Sequence, residues 1–240
     1  VITENLSVSG LVTIILVCLL FLLYHLINIQ KLAIRFSLRS GQSPVFLFFA
    51  EKIKGLILFG VIPFLLIAAV SGLKTAENTL TSGNSWRYWY ILLIFLPVIS
   101  FLSFNFSKKK TIRERYPRTA RKKWTLKYCI IFISGWIIYI LGYEFLFRGV
   151  LWQVCYKAFG FWVAIAVNVV IYAAVHLDQG LLMSLRAIPF GILLCLITFL
   201  TGSFLFAFLI HSWMASNYQT FLIYNDPDRS LLPEMKEENS

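Results

Sequence analysis

Residues 86–106 read WRYWYILLIFLPVISFLSFNF, and residues 107–127 continue as SKKKTIRERYPRTARKKWTLK. After Arg87 the first stretch is apolar for about the 20 residues that an α-helix needs to cross the hydrocarbon core of a bilayer. From 108 to 127 come ten basic residues (Lys108, Lys109, Lys110, Arg113, Arg115, Arg118, Arg121, Lys122, Lys123 and Lys127) against one acid, Glu114. An apolar run that ends in a block of positive charge reads as a membrane span leading into a cytoplasmic loop.

The whole chain agrees with this reading. Its 240 residues are 59% hydrophobic and 14% charged, with a mean hydropathy of +0.76. Soluble domains run nearer ~45–50% apolar and ~25% charged. A soluble fold of this length cannot hide so much apolar surface, and intrinsic disorder is excluded on the same ground. The fold class is therefore all-α, a polytopic membrane helical bundle. The bilayer core offers no water to backbone N–H and C=O groups, so each must bond within its own helix. The net charge of +11 does not point to nucleic acid, because +9 of it sits in the one basic loop; a nucleic-acid binder also needs a reading surface.

The apolar pattern predicts about seven spans, at 6–29, 55–70, 86–106, 127–157, 161–176, 183–200 and 204–224. Residues 44–54 are expected at the interface ahead of the second span. Trp86, Trp89, Tyr90, Phe161 and Trp162 fit interfacial anchors. The N-terminal run carries Glu4 and is longer than a signal-peptide core, so it is expected to remain as a span. Segment 30–54 holds five basic residues, 71–87 two and 108–127 ten. That asymmetry puts the first and third segments in the cytoplasm, the N-terminus outside and the C-terminus inside. The chain divides into N-terminal spans at 1–107, the basic loop at 108–127, core helices at 128–224 and an acidic, mobile tail at 225–240. Cys18, Cys129, Cys155 and Cys195 form no CxxC and read as reduced packing residues. No internal repeat is visible.

Between 128 and 225 the only acids are Glu144 and Asp178, and the only basic residues Arg148, Lys157 and Arg186. An ionisable group at bilayer depth costs about 2.5–3.5 kcal/mol on insertion scales, so its presence calls for a reason. Glu144 and Arg148, at i and i+4, face the same way on one helix. They fit either a structural ion pair or a carboxylate held beside a reaction centre. Asn168, Tyr172 and His176 form a polar stripe at four-residue spacing, and His211 sits in the middle of the last span. Each histidine alone reads as a packing group, whereas two of them with a carboxylate on consecutive helices make an acid–base cluster. With a turn near 158–160, Glu144 lies about 14 residues before it and His176 about 16 after it, at similar height for a ~1.5 Å rise per residue. His211 falls shallower by the same count.

These residues resemble a family. Tyr-Glu-Phe-Leu-Phe-Arg-Gly at 143–149 is similar to the Glu-Glu-x-x-x-Arg motif of the CAAX-protease and bacteriocin-processing (CPBP, or Abi) intramembrane proteases. Tyr-Ala-Ala-Val-His at 172–176 resembles their Phe-x-x-x-His motif. The stretch from Phe190-Gly191 through Thr201-Gly202-Ser203 to His211 resembles the approach to their His-x-x-x-Asn/Asp motif. The resemblance spans roughly 128–217 and implies a hydrolase, an endopeptidase acting on a peptide or protein that enters from the membrane or cytoplasm. It implies Glu144 and His176 as the acid–base pair on water, His211 as oxyanion donor and Arg148 as the carboxylate's anchor, in keeping with donors preorganised toward developing charge. It implies no cofactor, although Glu144, His176 and His211 are a donor set that zinc accepts. Tyr143 stands where the family has its first glutamate, and Ala215 where it has asparagine; Asn217 and Asn168 are the nearest substitute donors. The departures leave a second reading open, a catalytically inactive scaffold or bacteriocin-immunity factor. HExxH, Gly-x-Ser-Gly and Gly-x-Gly-Asp are all absent, which removes site-2 zinc, rhomboid and presenilin-type chemistry. The lack of repeated halves argues against a transporter.

Overall fold

The computed structural model describes residues 2–29, 44–71, 85–109, 123–227 and 230–231. Its helices are α1 (Ile2–Leu26), α2 (Pro44–Leu56), α3 (Ile62–Ser71), α4 (Tyr90–Ser107), α5 (Leu126–Glu144), α6 (Trp152–Phe159), α7 (Phe161–Ala174), α8 (Leu181–Thr201) and α9 (Phe204–Asn225). π-helical segments join α2 to α3 (Ile57–Val61) and α5 to α6 (Phe145–Leu151). Two two-residue strands, β1 (Lys123–Trp124) and β2 (Ser230–Leu231), pair in parallel. The strands bring the start of the acidic tail beside the end of the basic loop; residues 110–122 and 232–240 lie outside the described residues.

Among the described residues, six helical stretches are long and apolar enough to cross a membrane: Val8–Leu26, Phe46–Val70, Tyr90–Ser107, Leu126–Phe159, Phe161–Gln179 and Leu181–Thr201. The expected seventh, α9, is a 22-residue helix without a charged residue. It is less apolar than those six because it carries His211, Ser212, Asn217, Gln219 and Thr220. It packs against α4, α5 and α8, so less of its surface has to satisfy lipid. Residues 44–54, expected at the interface, are helical. This segment runs without a break into the second span. Two lysines there are masked by the bundle. Lys54 Nζ donates to the carbonyls of Tyr24 and Ile27 at the end of α1. Lys52 Nζ lies 3.2 Å from the centre of the Trp136 ring, a desolvated cation–π contact.

The π segment at Ile57–Val61 ends two residues before Pro63, which has no N–H to donate to the carbonyl four residues back. A wider turn is a known accommodation of such a gap. Opposite it lies the end of α5, where a Cβ added to Gly142 would stand 3.0 Å from Leu56 Cα. Small residues let membrane helices approach backbone to backbone, because apolar side chains gain little by leaving lipid.

Around this contact gathers a largely aromatic core. Phe21 of α1, Phe59, Tyr143, Phe147 and Tyr172 are all buried; Phe21 lies 4.4 Å from Phe59, and Tyr143 stacks 4.7 Å from Phe147. Outside, Leu11, Val12, Ile15, Leu93, Ile94, Trp162 and Val170 are exposed, the inside-out pattern that a lipid solvent permits. The last helical reversal is made at Gly202, whose φ of 67° closes α8 in the left-handed region that glycine enters at little cost.

Candidate active site

The site is built where α5 gives way to its π segment. Glu144 is the last residue of α5, and Arg148 lies within the π turn. A π turn closes i→i+5 bonds, so it holds more residues per turn and sets residue i+4 nearly over residue i. Arg148 Nη1 comes to 3.0 Å from Glu144 Oε2 and 3.2 Å from Oε1. Only the Oε1 approach has hydrogen-bond geometry, and Oε2 accepts no hydrogen bond. Both side chains are 0% exposed. Arg148 Nη2 donates to the Gly191 carbonyl of α8 at 3.4 Å, and its guanidinium sits 4.7 Å from the centre of the Tyr172 ring. The charge is thus compensated on three sides.

From α9, His211 reaches the same carboxylate, with Nδ1 2.5 Å from Glu144 Oε1. The contact resolves the height mismatch read from residue counts. The helical run 126–159 covers 34 residues, about 51 Å at 1.5 Å per residue, against a hydrocarbon core of ~30 Å. Such a run must tilt or project beyond the core, so counting from its far end overstates the depth of Glu144. The His211 ring meets Tyr143, Tyr172 and Phe190 edge-on, at 5.9, 6.2 and 5.5 Å between centres.

His176 contacts Tyr172 of its own helical run. Its Nδ1 is 2.7 Å from the Tyr172 carbonyl, and its ring lies 4.7 Å from that of Tyr172. Tyr172 therefore contacts both imidazoles. The carboxylate's imidazole partner is His211; no hydrogen bond joins His176 to Glu144 among the described residues.

Tyr143 is buried, and its hydroxyl has no hydrogen-bond partner. Asn168 is buried and donates to the Ala164 carbonyl of its own helix, leaving Oδ1 unpartnered. Asn217 bonds to the Trp213 carbonyl one turn back, so neither asparagine bonds to the Glu144–His211 pair. Among the described residues, no group of three or more His, Cys, Asp or Glu side chains is placed to hold a metal ion. The Glu144 carboxylate already carries a guanidinium, which competes with any cation for it.

Two features of the site have no sequence signal. The Gly191 carbonyl is a backbone group, and every residue has one. The π turn leaves no motif of its own. Ser212 and Gln219, buried on α9 with unpartnered oxygens, read in sequence only as ordinary polar residues.

Fold and site define a class: a polytopic helical membrane protein with a carboxylate, a guanidinium and an imidazole closed inside the bundle. Residues 125–216 match the family described as Rce1-like, Type II CAAX prenyl endopeptidase Rce1-like. The chain thus carries a CAAX-protease-like domain over that part of its length, and the domain contains Glu144, Arg148, His176 and His211. No curated protein and no solved structure matches the chain.

Proposed function

We propose that the protein is an intramembrane endopeptidase of the CAAX-protease type. It hydrolyses a peptide bond by activating a water molecule, with Glu144, His176 and His211 as the groups on which the reaction depends. The observation that carries this reading is the Glu144–His211 contact. A membrane protein that needed only to neutralise Glu144 has Arg148 for that purpose; the further imidazole supplies a proton acceptor and donor next to a fixed negative charge. The aromatic walls around it restrict water, which strengthens each of these interactions.

The substrate is a peptide or protein segment reaching the bundle from the bilayer or the cytoplasm. The protein resides in the plasma membrane of a bacterium, with the N-terminus outside and the C-terminus inside. The pairing of Lys123–Trp124 with Ser230–Leu231 supports seven crossings. These strands flank the runs 126–159, 161–179, 181–201 and 204–225. Four crossings return the chain to the same side, and three do not.

The test compares the membrane peptide profiles of cells carrying the native protein and the Glu144→Ala or His176→Ala form. Loss of the same peptides in both variants, at equal expression, supports the reading. Unchanged profiles in both overturn it.

A second reading has its own support in Tyr143 and Ala215, which replace the family's first glutamate and its asparagine. On that reading the protein is an inactive scaffold or a bacteriocin-immunity factor. Cleavage created by Tyr143→Glu where the native protein has none would favour it.

A further inference from the structure

Independently of the peptidase reading, we propose that Lys108 and Lys109, just past α4, and Arg186 of α8 hold the headgroup of an anionic phospholipid at the end of the bundle that carries the basic loop. Several helix ends meet there. Asn225 Nδ2, at the end of α9, donates to Ser107 Oγ, at the end of α4, over 2.7 Å. Beyond the basic loop, β1 pairs with β2, which follows α9. The chain reverses at Gly202 between α8 and α9, so the first residue of α8, Leu181, lies at this end too.

Three cations gather on two aromatic rings. Lys108 Nζ lies 4.0 Å from the centre of the Phe104 ring, and Lys109 Nζ 5.1 Å from that of Phe106. Arg186 comes from a different helix to the same Phe106 ring, with Cζ 5.5 Å from its centre. A ring face orients a cation through its quadrupole but brings no net charge, so the positive charge stays available to an anion. Among the described residues, no ion pair joins Lys109 or Arg186 to a carboxylate.

Arg186 sets the depth of the site. It lies five residues inside the start of α8, about 7.5 Å at ~1.5 Å per residue. Leu181, Leu182 and Leu185, on the turns leading to it, are exposed, as lipid-facing residues are. A charge within the apolar layer is costly unless it is compensated. Arg148 has Glu144 for that purpose, whereas Arg186 has a ring. Its long side chain can bring the guanidinium up to headgroup level, where the planar fork matches a phosphate.

The surface below the cations is apolar. Phe101 and Leu102, about one turn further into α4 than Phe106, are exposed. A rim of positive charge above an apolar wall matches a ligand with an anionic head and acyl chains. A soluble anion would leave the wall unused, and a zwitterionic lipid brings an ammonium group that three cations repel. Basic clusters between membrane helices recognise anionic headgroups on this principle.

The test uses the full-length protein in vesicles of equimolar phosphatidylglycerol and phosphatidylcholine. It is released in uncharged detergent, and the lipids it retains are identified by native mass spectrometry. The native protein is expected to retain phosphatidylglycerol in preference to phosphatidylcholine. Each cation near an anionic headgroup contributes about fivefold. Lys108→Gln/Lys109→Gln/Arg186→Gln should therefore reduce the preference by about a hundredfold, and Arg186→Gln alone by about fivefold. Lys110→Gln/Arg113→Gln/Arg115→Gln removes the same charge from the loop and should leave most of the preference intact. Thermal unfolding in uncharged detergent checks that each variant is folded, and Arg186→Gln carries the test if the triple variant is not. Equal losses in the two triple variants would show a diffuse field of net charge and overturn the site, as would a native protein that retains both lipids equally. Release of the lipid by inorganic phosphate alone would assign the cations to a free anion and overturn the proposal too. None of these outcomes bears on Glu144-dependent cleavage, so the two readings fail separately.

Discussion

Removal of the guanidinium from the buried pair tests the electrostatic reading most directly. Arg148→Met keeps much of the side chain's length and apolar volume but leaves Glu144 without its cation. Both partners are fully buried, with Nη1 3.0 Å from Oε2. Breaking a buried pair by deleting one member costs about 3–5 kcal/mol, because an uncompensated charge remains. His211 still donates to Oε1, which places the expected loss near the lower bound, about 3 kcal/mol. Deleting both charges, as in Glu144→Leu/Arg148→Met, removes the uncompensated carboxylate. The double variant should then be at least ~2 kcal/mol more stable than the sum of the single losses predicts. Lost contacts of Arg148 with Gly191 and Tyr172 occur in both legs of the cycle and cancel. Reversible unfolding in mixed detergent micelles by added SDS, followed by tryptophan fluorescence, measures each free energy. Additivity within about 0.5 kcal/mol would mean that the two groups do not interact, and would refute the reasoning.

Two further outcomes test the scaffold that carries the site. Gly142→Val should lower stability by about 1–3 kcal/mol in the same unfolding assay, as overpacking typically does, because its Cβ meets the Leu56 backbone and α2 has to move; an unchanged midpoint would show that the helices do not approach so closely. Gly202→Ala should cost about 1–2 kcal/mol through backbone strain alone, since nothing lies within 4 Å of the added Cβ, and Gly202→Asn should cost less; equal stability of all three forms would contradict the left-handed turn.

The apolar runs placed every long helix except for the extension of the second span. That error has a simple cause. Glu51, Lys52 and Lys54 lower local hydropathy, so 44–54 reads as interfacial. Nothing in the sequence announces that an indole face and the carbonyls at the end of α1 receive the two ammonium groups. The opposite case is α9, whose helix was legible but whose hydropathy is diluted by the polar residues it carries. Glu144, Arg148, His176 and His211 stood out because charge and imidazole are scarce in that half of the chain. The Glu144–Arg148 pair was legible from its spacing, but the Glu144–His211 contact was not, because residue counting assumes uniform α-helical rise and straight helices. The π turn and the long fourth run break both assumptions.

Composition and periodicity alone determined that this is a helical membrane bundle and that a few ionisable groups lie within it. These are properties of local chemistry: lipid rejects unpaired backbone and charge wherever they occur along the chain. Tertiary packing alone decided which imidazole meets the carboxylate, that a Gly191 carbonyl steadies the guanidinium, and that Tyr172 contacts both histidines. Such contacts join residues tens of positions apart, and their distances depend on helix tilt, backbone close approach and one widened turn.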